Sequence, residues 1–282
     1  MQNNNIKRRK IKNFIALSIA FLSALVGLFW LVFILFDLLR EGVQYIRPEL
    51  FLEDPAPPGI EGGGLRNAFV GQILIVMVAV VIGVPLGILG GTYLAEYGRN
   101  KRIAHFISTL ADIMISIPAI VVGTFVYAIM VRPLGHFNGW AGGVALAIIM
   151  LPIVVRTTED MLKLIPDELR EAAFALGAPY YKVIMNVVYR GAATGILTGV
   201  LLAIARVAGE AAPLLFTSFN NSFFTTNLNE PMPSLTVTIF QYAMGPYDDW
   251  HKIAWAASFI ITFAILIVTI IGRLLIKWRY RK

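Results

Sequence analysis

Two charged residues, Arg206 and Glu210, lie within an otherwise apolar stretch at residues 191–216. A charged side chain at the centre of a membrane costs at least about 2.5 kcal/mol, and it usually faces a bundle interior or water. On a continuous helix, a spacing of four residues puts both side chains on one face, where they can pair. We interpret the pair either as a structural ion pair or as part of a site for a charged molecule.

A second polar pattern interrupts the apolar run at residues 106–130, where Ser108, Asp112 and Ser116 recur every four residues. This spacing places the three side chains along one stripe of a helix. The favoured interpretation is hydrogen bonding to a neighbouring helix near the inner end of a span. The alternative is that the stripe lines a path through the membrane.

A third pattern consists of small residues. Gly83, Gly87 and Gly91 form a repeated G-x-x-x-G within an apolar run. Glycines at this spacing let two helix backbones approach closely. We predict that this face packs tightly, either within the chain or against another membrane protein.

The chain lacks the motifs of several enzyme classes. It contains no Gly-Lys dipeptide, and hence no phosphate-binding loop of the Walker type, and no H-E-x-x-H or G-x-S-x-G. There are no cysteines, and the three histidines, His105, His136 and His251, are far apart in the sequence. We therefore expect no bound metal or cofactor and no enzymatic activity, so that energy for any active process would come from a partner.

The composition predicts an all-α polytopic membrane protein. Apolar residues make up 57% of the chain and charged residues 15%, whereas a soluble domain carries about a quarter charged residues. Runs long enough to span a bilayer predict six transmembrane helices at residues 14–36, 68–94, 106–130, 139–155, 191–216 and 254–271. The first run is too long for a cleaved signal peptide, so it predicts an uncleaved anchor.

The basic residues predict the orientation. With the N-terminus in the cytoplasm, 18 of the 24 lysines and arginines fall on the inner side and five on the outer side. This asymmetry predicts that both termini are cytoplasmic. It also indicates that the net charge of +7 serves contact with a membrane surface and not binding of nucleic acid. The predicted parts are the basic ends 1–13 and 273–282, an external loop 37–67, a core 68–272, and an external segment 217–253 with a short surface helix.

The longest inner segment, residues 156–190, predicts two short helices joined by a turn. Pro166 followed by two acids is typical of a helix start, and Gly177 of a helix end. One face of the first helix is apolar, formed by Leu169, Ala172, Ala173 and Leu176. The helix–turn–helix that starts at Pro166, which we call the elbow, either packs on its own spans or docks a cytoplasmic partner.

Within the elbow, Glu171, Ala172, Ala173 and Gly177 resemble the EAA motif of ABC importer permeases, although the I-x-L-P half of that motif is replaced by Val-Val-Tyr-Arg at residues 187–190. Residues 195–217 and 235–240 strongly resemble the PstA-type permeases of phosphate importers. The resemblance covers roughly residues 65–275.

This resemblance implies a MetI-like permease fold in a bacterial inner membrane. It implies that Arg206 and Glu210 belong to a phosphate path, in which Ser108, Asp112 and Ser116 could take part, and that the elbow couples to an ATPase. The implied partners are a PstC-like sister permease, a PstB-like ATPase dimer that uses the ATP, an external phosphate-binding protein and membrane lipid. The alternatives are a permease for molybdate or sulfate, a stand-alone secondary carrier and a membrane enzyme.

Overall fold

The computed structural model describes residues 2–60, 62–99 and 101–279. Within them the regular structure is helical. The α-helices are α1 (Gln2–Gln44), α2 (Glu49–Leu52), α3 (Arg66–Thr92), α4 (Arg102–Ser116), α5 (Ala119–Val126), α6 (Arg132–Leu134), α7 (Gly139–Lys163), α8 (Asp167–Ala175), α9 (Tyr180–Val183), α10 (Tyr189–Ala208), α11 (Leu235–Ala243) and α12 (Asp248–Arg279). Three π-helical turns extend or join them, at Tyr93–Tyr97, Tyr127–Val131 and Ile184–Val188.

Five helical segments in the described ranges are long and apolar enough to cross a membrane, and one bent pair makes up to six. The five are Ile6–Gln44, Arg66–Tyr97, Gly139–Lys163, Tyr180–Ala208 and Asp248–Trp278. They include the fourth predicted span, which is longer than the 17 residues expected because α7 continues through Arg156 to Lys163. The all-helical fold is thus confirmed, and Arg281 and Lys282 of the basic C-terminus lie outside the described residues.

The third predicted span is not one straight helix. α4 ends at Ser116 and α5 begins at Ala119, and the chain bends by 103° between the two helical arms. The break has a local cause: Pro118 lacks an N–H to continue the helix, and it restricts Ile117 before it to an extended conformation, which Ile117 adopts with ψ 129°. The prediction of a continuous helix over 106–130 was wrong at this point.

The fifth span also differs from its prediction. Its helix starts earlier, at Tyr180, because α9, a π-turn and α10 form one continuous segment. It ends at Ala208, so Glu210 lies beyond the helix and does not share a helical face with Arg206. The turn at Gly209 therefore brings these two side chains together.

The core is built around α7, which packs against α3, α10, α4 and α5. Its small and apolar residues, among them Ala145, Leu146, Met150 and Val154, are buried. A second cluster joins the start of α3 to α11 and α12. α11 packs one face into these clusters, with Val237 in the first and Tyr242 in the second. The predicted short helix thus forms, but it does not lie free on the surface.

The two ends of the bundle differ. The elbow end carries α8 and the π-turn at Tyr93–Tyr97, which contact each other through Arg170 and Glu96. The loop end carries the segments between α1 and α3 and between α10 and α12. Asn67, in the first turn of α3, donates a hydrogen bond to the carbonyl of Asn221 in the second of these segments. α1 packs mainly on α12, and its span is otherwise exposed, as expected of an anchor in lipid.

Candidate functional site

The elbow forms as a helix with defined ends. α8 begins after Pro166, and Asp167 and Glu168 occupy its first turn, where carboxylates complement the helix dipole. Gly177 ends it with φ +79°, a conformation that suits glycine. The Gly177 N–H donates to the backbone carbonyl of Phe174, and the Ala178 N–H donates to the backbone carbonyl of Ala173. This pair of bonds is a Schellman motif.

The apolar face of the elbow is largely free within this chain. Leu176 is 89% exposed and Leu169 is also exposed. Glu171 and Ala172 are exposed as well, and only Ala173 packs against the buried cluster between α7 and α10. A face of this kind, held out on a short rigid helix, is suited to contact with another protein.

Sequence reasoning missed how the elbow is attached. Arg170, next to Glu171, points inward and pairs with Glu96 at the end of the second span at 2.8 Å. Arg99 adds a more exposed pair with Asp167 at 2.9 Å. A signal was present, because Glu96 is the first acid after a long uncharged span, but its partner 74 residues later could not be assigned.

The polar stripe of α4 faces α7. The guanidinium of Arg156 donates to both carboxylate oxygens of Asp112, at 2.6 and 2.5 Å, and to the hydroxyl of Ser108 at 2.9 Å. Ser116 donates to the backbone carbonyl of Asp112 in its own helix. Arg156 also pairs with Glu159 at 3.0 Å. The stripe thus makes interhelical hydrogen bonds, and Arg156 is a member of this site that the sequence pattern did not single out.

Arg206 borders a cavity of about 310 Å³ beside the break in the third span. The other lining residues are apolar and come from α4, Ile117, α5 and the middle of α7. The Arg206 side chain is 50% exposed, and its ionic contact among the described residues is with Glu210, at 3.9 Å. At that distance the guanidinium keeps its hydrogen-bond donors for another group.

Two neighbouring helices fix the backbone that carries this pair. The carboxamide of Gln72, on α3, donates to the carbonyl of Ala208 at 3.1 Å. The hydroxyl of Thr236, on α11, donates to the carbonyl of Glu210 at 3.1 Å. These bonds satisfy carbonyls at and beyond the helix end that have no partner within α10, so the turn that joins Arg206 and Glu210 is held in place.

The three glycines of α3 face α7 in the same chain. A Cβ on Gly87 would lie 2.6 Å from the Val154 side chain, and one on Gly91 would lie 2.5 Å from the Val155 carbonyl. Gly83 faces Met150 at 3.2 Å. The small residues therefore let the second and fourth spans approach closely along the core.

Comparison with known proteins identifies the family. Residues 83–282 match the family model described as binding-protein-dependent transport system inner membrane component. Over 97% of its length, this chain is 48% identical to the phosphate transport system permease protein PstA of Pasteurella multocida, covering 98% of that protein. It is 49% identical to the PstA protein of Haemophilus influenzae, covering 96% of that protein. The chain belongs to the PstA family of permeases.

Solved structures support the fold of this PstA-family chain. A chain from inward-facing conformations of the MetNI methionine ABC transporter aligns over 76% of this chain and 94% of its own, with a TM-score of 0.59 and 18% identity. A chain of an amino acid ABC transporter aligns over 77% of this chain and 92% of its own, with a TM-score of 0.54 and 18% identity. The PstA-family chain therefore has the MetI-like permease fold and is a multi-pass inner-membrane component of a transport system.

Proposed function

We propose that this chain is the permease subunit of an ATP-driven importer of inorganic phosphate and forms one half of the translocation path. The proposal is supported by the PstA proteins to which it is similar over nearly its whole length. The structural observation that carries it is Arg206, a half-exposed arginine beside the cavity at the broken third span. An arginine that is half-exposed within a span is expensive in lipid, so its open side faces water or another subunit.

The chemistry of Arg206 suits phosphate. Its planar guanidinium donates two parallel hydrogen bonds to the oxygens of a phosphate group. Glu210, 3.9 Å away, orients the guanidinium and competes with a bound anion, which keeps binding weak enough for release. The apolar wall of the cavity offers phosphate no further donors, so the remaining donors come from the sister permease.

At the elbow end we propose that Asp112, Ser108 and Arg156 close the path. Their hydrogen bonds join α4, the first arm of the broken span, to α7. Ser116 lies one turn further along the same stripe, toward the break. Separating α4 from α7 would expose the charged groups of Asp112 and Arg156 to the path and open it on this side.

The proposed energy source is a PstB-like ATPase dimer that binds and hydrolyses ATP, with no cofactor bound to the permease itself. One ATPase subunit receives the exposed face of α8, including Glu171, Ala172 and Leu176. Movement of the elbow then drives alternating access. An external phosphate-binding protein delivers the substrate at the loop end, and a PstC-like permease completes the membrane unit, which lies in lipid.

In this arrangement the elbow end is cytoplasmic, and so are both termini. The excess of basic residues at that end supports the orientation. The segments between α1 and α3 and between α10 and α12 then face the binding protein. The arrangement places the basic N-terminal end beside anionic lipid headgroups.

The test is uptake by purified complex in proteoliposomes. The chain is purified with its co-purifying subunits, and uptake of radiolabelled phosphate is measured with ATP and the binding protein. We expect uptake that requires ATP and is not reduced by excess sulfate or molybdate. Failure to recover an associated ATPase would contradict the assignment as an ATP-driven importer. Uptake of sulfate or molybdate in place of phosphate would contradict the assignment of phosphate as the substrate.

A further inference from the structure

Glu96 and Arg170 form a buried ion pair at the elbow end that the proposed path does not use. Their side chains are 2% and 7% exposed, and Arg170 Nη2 lies 2.8 Å from Glu96 Oε1. The two residues are 74 positions apart in the chain. Glu96 belongs to the π-turn that ends the second span, and Arg170 belongs to α8.

Arg170 has an acceptor for each of its five N–H groups. Nη2 donates to Glu96 and to the carbonyl of Leu162 at 3.0 Å, and Nε donates to the other Glu96 oxygen at 3.4 Å. Nη1 donates to the carbonyl of Ile165 and to Asp167 at 3.1 Å. One guanidinium therefore joins the elbow helix, the end of α7 and the end of the second span.

The helix ends explain why the pair persists. Glu96 is a carboxylate near the C-terminal end of a helical span, where the helix dipole is unfavourable to negative charge. Arg170 neutralises it, and the same cation satisfies the last carbonyls of α7, at a helix end that favours positive charge. A buried ion pair is retained only when its donors and acceptors are all satisfied, and this one meets that condition.

Aromatic contacts reinforce the junction. The hydroxyl of Tyr180, at the start of α9, donates to the backbone carbonyl of Glu96 at 2.9 Å. The Tyr180 ring stacks on Phe174 of the elbow at 5.8 Å and meets the edge of Tyr97 at 5.3 Å. Both ends of the elbow turn are thus fixed to the same π-turn.

We propose that Glu96 and Arg170 are positioning residues that clamp the elbow to the elbow ends of α3 and α7, so that these three elements move as one rigid unit. α7 also carries Arg156, which holds Asp112 of the broken span. A displacement of the elbow would then move α7, and with it the hydrogen bonds between Arg156 and Asp112 that are proposed to close the path. This inference rests on the proposed coupling function and adds the residues that transmit the movement.

The first experiment measures rigidity without altering the clamp. Because the chain has no cysteine, spin labels can be placed at Glu168→Cys on the elbow and at Lys101→Cys, just beyond the second span, both exposed positions. We expect the same distance between the labels with and without trapped ATP in the assembled complex. In the Glu96→Gln variant, we expect the distance to depend on ATP. A complex that transports phosphate but changes this distance on ATP binding would overturn the clamp and leave the proposed function intact.

The second experiment measures phosphate transported per ATP hydrolysed. We expect Arg170→Met to lower this ratio about tenfold while ATP hydrolysis continues, a size typical of coupling between sites. The matched control is Arg99→Met, which breaks the exposed pair with Asp167 and should change the ratio less than about twofold. If Arg170→Met fails to assemble, Arg170→Lys keeps the charge but loses the five-donor geometry and serves in its place. An unchanged ratio in the assembled variant would overturn the proposal.

Discussion

Asp112 and Arg156 join the third and fourth spans through two parallel hydrogen bonds, from Nε to Oδ1 at 2.6 Å and from Nη2 to Oδ2 at 2.5 Å. Such a fork is the strongest pairing that an arginine makes with a carboxylate. It ties the broken third span to α7, the helix at the centre of the core. The pair is half exposed on the Asp112 side, so it lies where solvent can enter when the helices separate.

This geometry predicts the effect of Asp112→Asn. The amide keeps one acceptor but loses the charge, which weakens the closure between α4 and α7. We expect ATP hydrolysis in the absence of the binding protein to fall about threefold to tenfold, measured on purified complex. A path open at the elbow end goes with separated ATPase subunits, and the loss of roughly 1 kcal/mol favours that state by about this factor. Ser116→Ala, which removes a hydroxyl bonded within its own helix, is the control and should leave this rate unchanged. Unchanged hydrolysis in Asp112→Asn would exclude the closure role.

Arg206→Gln tests the proposed anion site. Losing a charged donor to a phosphate costs about 1.5–3 kcal/mol, so we expect uptake to fall roughly 10-fold to 100-fold. The amount of assembled complex should stay the same, because the Arg206 side chain is half exposed and makes only a 3.9 Å ionic contact among the described residues. Uptake and complex recovery are measured on the same preparation. If both fall in proportion, Arg206 is structural.

Gly177→Asp tests the elbow. No atom lies within 4 Å of a Cβ built on Gly177, although its φ of +79° strains any side chain placed there. The aspartate also places a negative charge at the C-terminal end of α8 and within the exposed docking face. We expect the chain to insert normally and phosphate uptake to fall at least about tenfold. Gly177→Asn is the matched control, because asparagine has the same shape and tolerates positive φ. Normal uptake by the aspartate variant would contradict the docking role.

Gly87→Leu tests the packing of the second span on the fourth. Even a Cβ would meet the Val154 side chain at 2.6 Å, and overpacking of a close interface costs about 1–3 kcal/mol or more. We expect the melting temperature of the purified chain to fall by several degrees. Gly27→Leu, on α1, has no atom within 4 Å of the added Cβ and should leave the melting temperature nearly unchanged. Equal melting temperatures would show that the glycine face does not limit packing.

Single cysteines test the orientation. Leu176→Cys lies at the elbow end and Met244→Cys at the loop end, and the native side chains are 89% and 75% exposed. In intact cells whose outer membrane is permeabilised, a membrane-impermeant maleimide should label residue 244 and not residue 176, while both react after lysis. The reverse pattern would place the N-terminus outside. Glu61, an alternative reporter position in the loop after α1, lies outside the described residues.

Local sequence patterns were enough to predict where the helical spans and the elbow lie. Runs of apolar residues leave the backbone no partner in lipid except its own helix, so these runs predicted where the spans lie. They did not predict the break before Ala119 or the helix end at Ala208. Pro166 and Gly177 delimit α8 through local backbone preferences, which do not depend on the rest of the chain.

Which distant residues contact each other depends on how the helices pack. The pairs Glu96–Arg170 and Asp112–Arg156 join residues 74 and 44 positions apart, and no local pattern specifies a partner at such a distance. The helix also breaks locally after Ser116, but the direction of the arms on either side depends on how α4 and α5 pack against α7. At the other helix end, Ala208, the chain is held by the hydrogen bond from Gln72. The cavity beside Arg206 exists only in the folded chain, because four separate helices must meet to line it.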